Sequence, residues 1–301
     1  MGIKFLNKFL TEKCKSIKKL SLEKFRGEII VIDTSIYMYK FLSENALIEN
    51  MTKMIEMFQI YNITPVYIFD GKPPPEKKEL LIQRNLFKSQ AEERYNELSK
   101  SESCDPKELQ ALRNQFLKVY ESDIVRVKEL FAIMGVKYFE STTESDPICG
   151  YLVNSGKCFA CLTEDMDMFV YGCNRIFRSL NLETHEIYYY DFKLILRELN
   201  ISFNHFKQIL VLSGTDYDVH SSTHLYTTIA LYNKFKNSGV RSPCFYQWLE
   251  KYYSSYIKNR DKLNHCFEMF DFDYYKTDLE PFVHLTRHDF TSKMDFYIQC
   301  L

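Results

Sequence analysis

The sequence predicts an α/β fold: a parallel, twisted sheet with helices on both faces, one helical insertion, and a mostly helical carboxy-terminal part. Three observations carry this. Four short segments rich in β-branched or aromatic residues, 29–32, 65–69, 136–139 and 158–162, alternate with helix-length stretches. Their near-continuous apolar character is that of strands buried on both faces, and parallel strands need long crossovers. One crossover, roughly 72–133, is far longer than a single covering helix requires.

In chain order, residues 1–28 hold eight basic side chains (Lys4, Lys8, Lys13, Lys15, Lys18, Lys19, Lys24, Arg26) against three acids. That excess suits either a solvated helix face or a polyanion. Residues 77–121 carry nine basic and eight acidic side chains, many at helical spacing, so two or more exposed helices are expected, with a turn at 101–106. From composition alone a charged hairpin without a ligand fits as well. Later, 205–213 reads as a helix stopped by Gly214, and 225–235 and 246–257 read as helices. Trp248, Tyr252, Tyr253 and Tyr256 are expected in the core. Residues 265–301 are acidic and poorly patterned. The division is a core over 1–235, holding the insertion at about 72–133 and a helix-turn-helix at about 205–235, and an extension over 236–301 packed on it.

With 301 residues, 46% of them apolar and 26% charged, one large core with an insertion is feasible. The net charge of −1 gives no general affinity for polyanions, so any nucleic-acid surface must come from uneven charge. Nine cysteines without framework spacing indicate a reducing intracellular compartment and no disulfides, with nucleus or cytoplasmic replication site left open. Cys158 and Cys161 have zinc-like spacing but lack a second pair and are expected as small buried hydrophobes. No apolar run approaches the ~20 residues that span a bilayer, and the Met1-Gly2 start lacks the hydroxyl residue of a myristoylation signal, having Leu6 there.

Acids follow each expected strand: Asp33, Asp70, Glu144 with Asp146, and Asp165 with Asp167; Asp216 lies just beyond Gly214. Behind parallel strands these face one edge of the sheet, where ligands bind. Taken singly, Asp33, Thr143 or Asp146 serve equally as helix caps and Asp70-Gly71 as a turn. Taken together, so many carboxylates repel by roughly 4 kcal/mol per pair at ~4 Å and an effective dielectric of 20. Hard divalent cations relieve this, and oxygen-only donors suit magnesium or manganese rather than zinc. Two such ions can activate water and stabilise the leaving oxygen of an in-line displacement.

These residues resemble the flap endonuclease branch of the structure-specific 5′ nuclease (XPG/Rad2-like) family. The resemblance rests on Met1-Gly2-Ile3 with Leu6, Val31-Ile32-Asp33-Thr34-Ser35, Phe69-Asp70-Gly71-Lys72-Pro73-Pro74, Glu144-Ser145-Asp146, Thr163-Glu164-Asp165-Met166-Asp167 and Gly214-Thr215-Asp216-Tyr217, in family order across roughly 1–235. It implies a PIN-like core and a helical arch for the insertion. It further implies that Asp33, Asp70, Glu144, Asp146, Asp165, Asp167 and Asp216 ligate or orient two Mg2+ or Mn2+ ions, with Asp33, Asp70 and Asp165 central to catalysis. Lys77 and Arg84 match arch cations that approach the scissile phosphate, and their seven-residue separation is that of one helix face. Tyr39 matches an aromatic that stacks on the terminal unpaired base, and Gly2 a chain start close to DNA.

Departures accompany the resemblance. Asp146 stands where Glu is usual, one methylene shorter, which shifts that ligand toward contact through water. The stretch 218–228 contains no glycine where the family has a glycine turn that grips duplex phosphates and a monovalent ion. No sliding-clamp motif and no basic tail are found. The expectation is therefore a monomeric, metal-dependent nuclease acting on DNA with a 5′ flap or a single-strand/duplex junction, and not on membranes. A 5′-to-3′ exoribonuclease and a silent nucleic-acid scaffold are the alternatives. The many Lys, Asn, Tyr and Phe residues suit an AT-rich genome such as that of a large DNA virus.

Overall fold

The computed structural model describes residues 2–100, 105–217, 223–239 and 244–292. Among these, seven strands form one sheet: β1 (Lys18–Ser21), β2 (Ile29–Asp33), β3 (Thr64–Phe69), β4 (Lys137–Glu140), β5 (Ala160–Leu162), β6 (Arg175–Asn181) and β7 (Glu186–Asp191), in the order β1-β7-β6-β5-β2-β3-β4. The four expected strands are the parallel neighbours β5-β2-β3-β4. Alternate residues explain their apolar runs: Ile29 and Val31 enter one core cluster while Ile30 and Ile32 enter the cluster on the other face.

Fourteen helices accompany the sheet among the described residues. They are α1 (Leu6–Lys13), α2 (Thr34–Ser43), α3 (Leu47–Ile60), α4 (Lys78–Leu98), α5 (Pro106–Gln115), α6 (Glu121–Met134), α7 (Ser145–Asn154), α8 (Phe192–Leu199), α9 (Phe203–Leu212), α10 (Leu225–Asn237), α11 (Phe245–Tyr252), α12 (Arg260–Glu268), α13 (Lys276–Val283) and α14 (Arg287–Thr291). None of them is long and apolar enough to cross a membrane.

Four expectations are corrected. The sheet is mixed rather than parallel, because β6 and β7 form an antiparallel pair and β1 joins its outer edge. Polar residues hide these strands in the sequence: β1 is Lys-Lys-Leu-Ser inside the basic segment, and a bulge between Arg178 and Asn181 breaks the alternation of β6. The projecting part of the insertion is shorter than 72–133. Helix α6 buries Val127 and Phe131 and is the crossover helix onto the sheet, leaving α4 and α5, with one buried residue each (Ala91, Leu112), as the projection. Of the expected turn at 101–106, Ser101–Cys104 lie outside the described residues; Asp105 caps α5 by accepting from the Lys107 N–H at 2.9 Å.

The helix expected over 246–257 ends at Tyr252. Trp248 is buried, while Tyr252 is 49% exposed. Finally, the poorly patterned segment from 265 carries short helices within its described residues, 265–292. Its short helices each bury only one or two residues, such as Cys266, Leu279, Phe282 and Phe290, too few to make a visible period. Cys158 and Cys161 are buried among apolar neighbours, as expected.

Candidate active site

The carboxyl ends of β2, β3, β4 and β5 lie side by side, and each is followed by its acid. Asp33 closes β2 and caps α2: its Oδ1 accepts from the Ile36 N–H at 3.4 Å and its Oδ2 from the Thr163 hydroxyl at 2.9 Å. Asp70 accepts from the Ser145 N–H at 2.8 Å, the start of α7. Capping and site membership are therefore the same arrangement, since the cap is what orients each carboxylate. The turn after Asp70 needs glycine, because a Cβ on Gly71 would overlap the Ser141 carbonyl oxygen. Beyond β5, the Thr163 hydroxyl accepts from the Asp165 N–H at 3.0 Å, and Asp165 Oδ1 accepts from the Asp167 N–H at 2.9 Å.

Gly2 packs directly against this last turn. A Cβ there would lie 2.5 Å from the Oδ1 atoms of both Asp165 and Asp167, and its φ is +76°. Only glycine lets the backbone pass so close to these carboxylates.

Two cations reach in from the insertion. Lys77 Nζ lies 2.6 Å from Glu144 Oε1 and 3.8 Å from Asp216 Oδ2, and Arg84 Nη2 lies 2.7 Å from Asp216 Oδ2. The two do not share one α-helix: Lys77 ends a 3-10 turn, Pro75–Lys77, and α4 begins at Lys78. Lys77 is buried, whereas the Arg84 side chain is 38% exposed. Tyr39, on α2, is not core. It is 40% exposed, with Lys88 Nζ of α4 5.5 Å from its ring centroid.

Electrostatics ties the acids together. Burial raises the carboxyl of Asp33 well above its usual range, and the charges of Asp70 and Asp165 push it further. Burial likewise raises Asp146, helped by Asp165, Asp33 and Glu144, and raises Asp167, helped by Asp165 and Asp216. Asp165 is raised by burial against the pull of the Asp167 N–H, with Asp216 adding to the rise. For Lys77 burial alone would favour the neutral amine, but Glu144, Asp146 and Asp216 overcome it and hold the ammonium above the ordinary lysine range.

Each of the seven sequence-expected acids thus acts electrostatically on at least one other of them. Nevertheless, among the described residues no group of three or more His, Cys, Asp or Glu side chains is arranged to hold a metal ion. The hydrogen bonds and ion pairs above account for this, since Lys77 and Arg84 hold Glu144 and Asp216 while backbone N–H groups hold Asp33, Asp70 and Asp165. In kind the residues fit a hard divalent cation. The donors are all oxygen, four carboxylates are disfavoured as anions, and buried Asp167 Oδ1 has no hydrogen-bond partner.

Sequence reasoning missed Thr163, which joins Asp33 to the Asp165 turn, and Tyr217, whose hydroxyl donates to Glu144 Oε2 at 2.8 Å. Tyr217 is visible in the sequence only as the neighbour of Asp216. The glycine-free turn cannot be followed, because Ser221 and Ser222, with 218–220, lie outside the described residues. At its end the Thr223 hydroxyl donates to the Leu212 carbonyl, and His224 caps α10 and stands 4.8 Å from the Phe5 ring.

Comparison with known proteins agrees with this geometry. Residues 1–91 match the XPG N-terminal domain and 135–216 the XPG I-region, together more than half of the chain. Flap endonuclease 1 of Entamoeba dispar is 30% identical over 239 residues, covering 72% of this chain and 62% of that protein. Flap endonuclease 1 of Caenorhabditis briggsae is 32% identical over 238 residues, covering 72% and 61%. The chain therefore spans less than two thirds of the length of these curated relatives.

Among solved structures, the catalytic core of Rad2 in complex with a DNA substrate aligns over 96% of this chain and 98% of that one, with a TM-score of 0.64 at 18% identity. The flap endonuclease-1 of Methanococcus jannaschii aligns over 97% and 96%, with a TM-score of 0.59 at 20% identity. Sequence blocks, fold and carboxylate edge agree, and this chain belongs to the XPG/Rad2-like family of structure-specific nucleases.

Proposed function

We propose that this protein is a 5′ flap endonuclease with 5′-to-3′ exonuclease activity, hydrolysing phosphodiesters of branched DNA in replication, repair or recombination. The observation that best supports this is the meeting of seven carboxylates from four strand ends and one helix end with Lys77 and Arg84 from the insertion. In this reading Asp33, Asp70, Glu144, Asp146, Asp165, Asp167 and Asp216 hold or orient two Mg2+ or Mn2+ ions. When bound, such cations supply Lewis-acid stabilisation to an in-line displacement at phosphorus.

The chain's own residues do the rest. Thr163 and the amides of Ile36 and Ser145 fix Asp33 and Asp70 before substrate arrives, so little reorganisation is needed. Lys77 and Arg84 exchange Glu144 and Asp216 for the scissile phosphate, Arg84 as a planar fork and Lys77 as a point charge. The exposed ring of Tyr39, beneath α4, stacks on the unpaired base at the junction. Helices α4 and α5 arch over the single-stranded 5′ end, and the exposed Lys4 and Lys8, close to Gly2 in the chain, face duplex phosphate. In this reading the acting unit is a monomer.

The test is a 5′-labelled flap, a blunt duplex and an RNA of matching sequence, each incubated with the protein and magnesium. Cleavage of the flap at the junction, faster than of the duplex or the RNA, is the expected result. Preferential RNA digestion would make the protein an exoribonuclease. Tight flap binding with no cleavage in magnesium or manganese would make it a silent scaffold.

A further inference from the structure

Resting on that reading of the site, we propose that Tyr217, completed by Tyr171 and Tyr275, is a positioning residue that orients Glu144 and keeps Lys77 beside it until metal and phosphate draw the two apart. Its hydroxyl donates to Glu144 Oε2 at 2.8 Å, while Lys77 takes the other oxygen, Oε1, at 2.6 Å. The Lys77 ammonium also lies 4.9 Å from the centroid of the Tyr217 ring. One side chain thus holds the acid with its polar end and the cation with its π face.

Behind Tyr217 stands a closed group of hydroxyls. Tyr171 Oη is 3.5 Å from Tyr217 Oη and 3.2 Å from Tyr275 Oη, and Tyr217 Oη and Tyr275 Oη are 3.5 Å apart. All three side chains are buried, at 3–5% exposure. Each hydroxyl owns one proton, and that of Tyr217 is committed to the carboxylate. Tyr217 can therefore only accept from the other two, so their protons run toward it, directly or through one another. Hydrogen bonds aligned this way strengthen the terminal bond to Glu144.

Tyr275 comes from the carboxy-terminal part, beyond both family-matched regions. The same part braces Glu144 from its other side. Asp278 of α13 accepts from the Thr142 and Thr143 hydroxyls, the second at 3.1 Å, and the Thr142 carbonyl accepts from the Lys72 N–H at 3.1 Å. The segment with the weakest sequence pattern is thus built into the support of the site.

Tyr217→Phe tests this directly, since it keeps the ring and its cation contact and removes only the hydroxyl. Mn2+ titration of the metal-free full chain, read by calorimetry, should show about 10-fold weaker binding for Tyr217→Phe, as outer-shell partners of metal ligands typically cost 10–100-fold. Tyr275→Phe should weaken binding in the same direction by a smaller factor, about 3-fold, because it acts through Tyr217. In flap cleavage the magnesium midpoint should rise by the same factors, with the rate at saturating magnesium near normal. Wild-type Mn2+ affinity in Tyr217→Phe beside weakened binding in Glu144→Gln would overturn the positioning role alone. Wild-type affinity in Glu144→Gln as well would remove the site reading and this role with it. Should Tyr217→Phe fail to fold, Tyr275→Phe carries the same test, and unchanged metal affinity there overturns the proposal.

Discussion

The carboxylate edge and the insertion bring opposite charges to one place by different means. Asp33 and Asp165 are buried at strand ends and Asp70 stands exposed at another, each accepting from a nearby backbone N–H or, for Asp33, also from Thr163. Helix α4 runs for 21 residues and buries one of them, Ala91. The contacts that tie its start to the edge are the ion pairs of Lys77 and Arg84. Acids are therefore placed by the fold, whereas the cations are placed largely by the acids. Removing an edge acid should destroy chemistry, and removing an insertion cation should retune it.

The largest expected effect follows from the edge. Asp70→Ala or Asp165→Ala should lower single-turnover flap cleavage by more than ~10³-fold while flap affinity stays within a few-fold, because loss of one electrostatic contact alone can cost 10²–10³. Near-normal turnover of either variant at saturating magnesium would break the contrast. Next, Lys77→Ala should slow cleavage by about 10²-fold, with a smaller change in affinity, and Arg84→Ala should do the same less severely, given its greater exposure. Equal losses in rate and affinity would make both cations simple phosphate anchors, and no loss at all would leave them as structural counter-ions of Glu144 and Asp216.

A smaller effect, of opposite sign for stability, sharpens the comparison. Asp167 is raised in the folded state by burial and by its acidic neighbours. The folded state then binds more protons than the unfolded one between the ordinary carboxylate value and the raised one, so its stability falls as pH rises through that window. Without metal, Asp167→Asn should unfold at a higher temperature than the wild type at neutral pH, and the advantage should vanish below about pH 4, where the unfolded carboxyl also protonates. Equal melting temperatures at neutral pH would mean that the acidic edge carries no strain.

The smallest effect concerns duplex grip. If the glycine-free turn contributes no backbone amides to phosphates, the slope of log affinity against log salt should be shallower by roughly one to two units than in a relative with the glycine turn, at ~0.9 per contact. Affinity should also differ little between potassium and sodium. A strong potassium preference would show that the turn binds a monovalent ion without glycine.

What is legible in the sequence divides along the same line. Strands β2, β3 and β5 are apolar on both faces, so their runs stand out, and the acids that follow them read directly as one edge of a sheet. Strands β1, β6 and β7 lie toward the outer, polar edge of the sheet and leave no such run. Lys77 and Arg84 are identifiable by sequence, but their setting is not: spacing puts them on one helix, and nothing local signals that Lys77 is buried between Glu144, Asp216 and Tyr217. Tyr171, Tyr217 and Tyr275 come from segments 46 and 58 residues apart along the chain, and tyrosine carries no spacing rule that would join them. The helices after residue 260 escape a reading of periodicity because caps such as the Thr286 and Asp289 box define them instead.

The most direct test of the central claim, that this edge is a two-cation nuclease centre, is a crystal of the full chain grown with Mn2+ and measured at the manganese absorption edge. The account predicts two anomalous peaks roughly 4 Å apart among Asp33, Asp70, Glu144, Asp146, Asp165, Asp167 and Asp216, with the Lys77 ammonium displaced from Glu144. Saturating Mn2+ with no peak at the edge, and Lys77 still bound to Glu144, would contradict it.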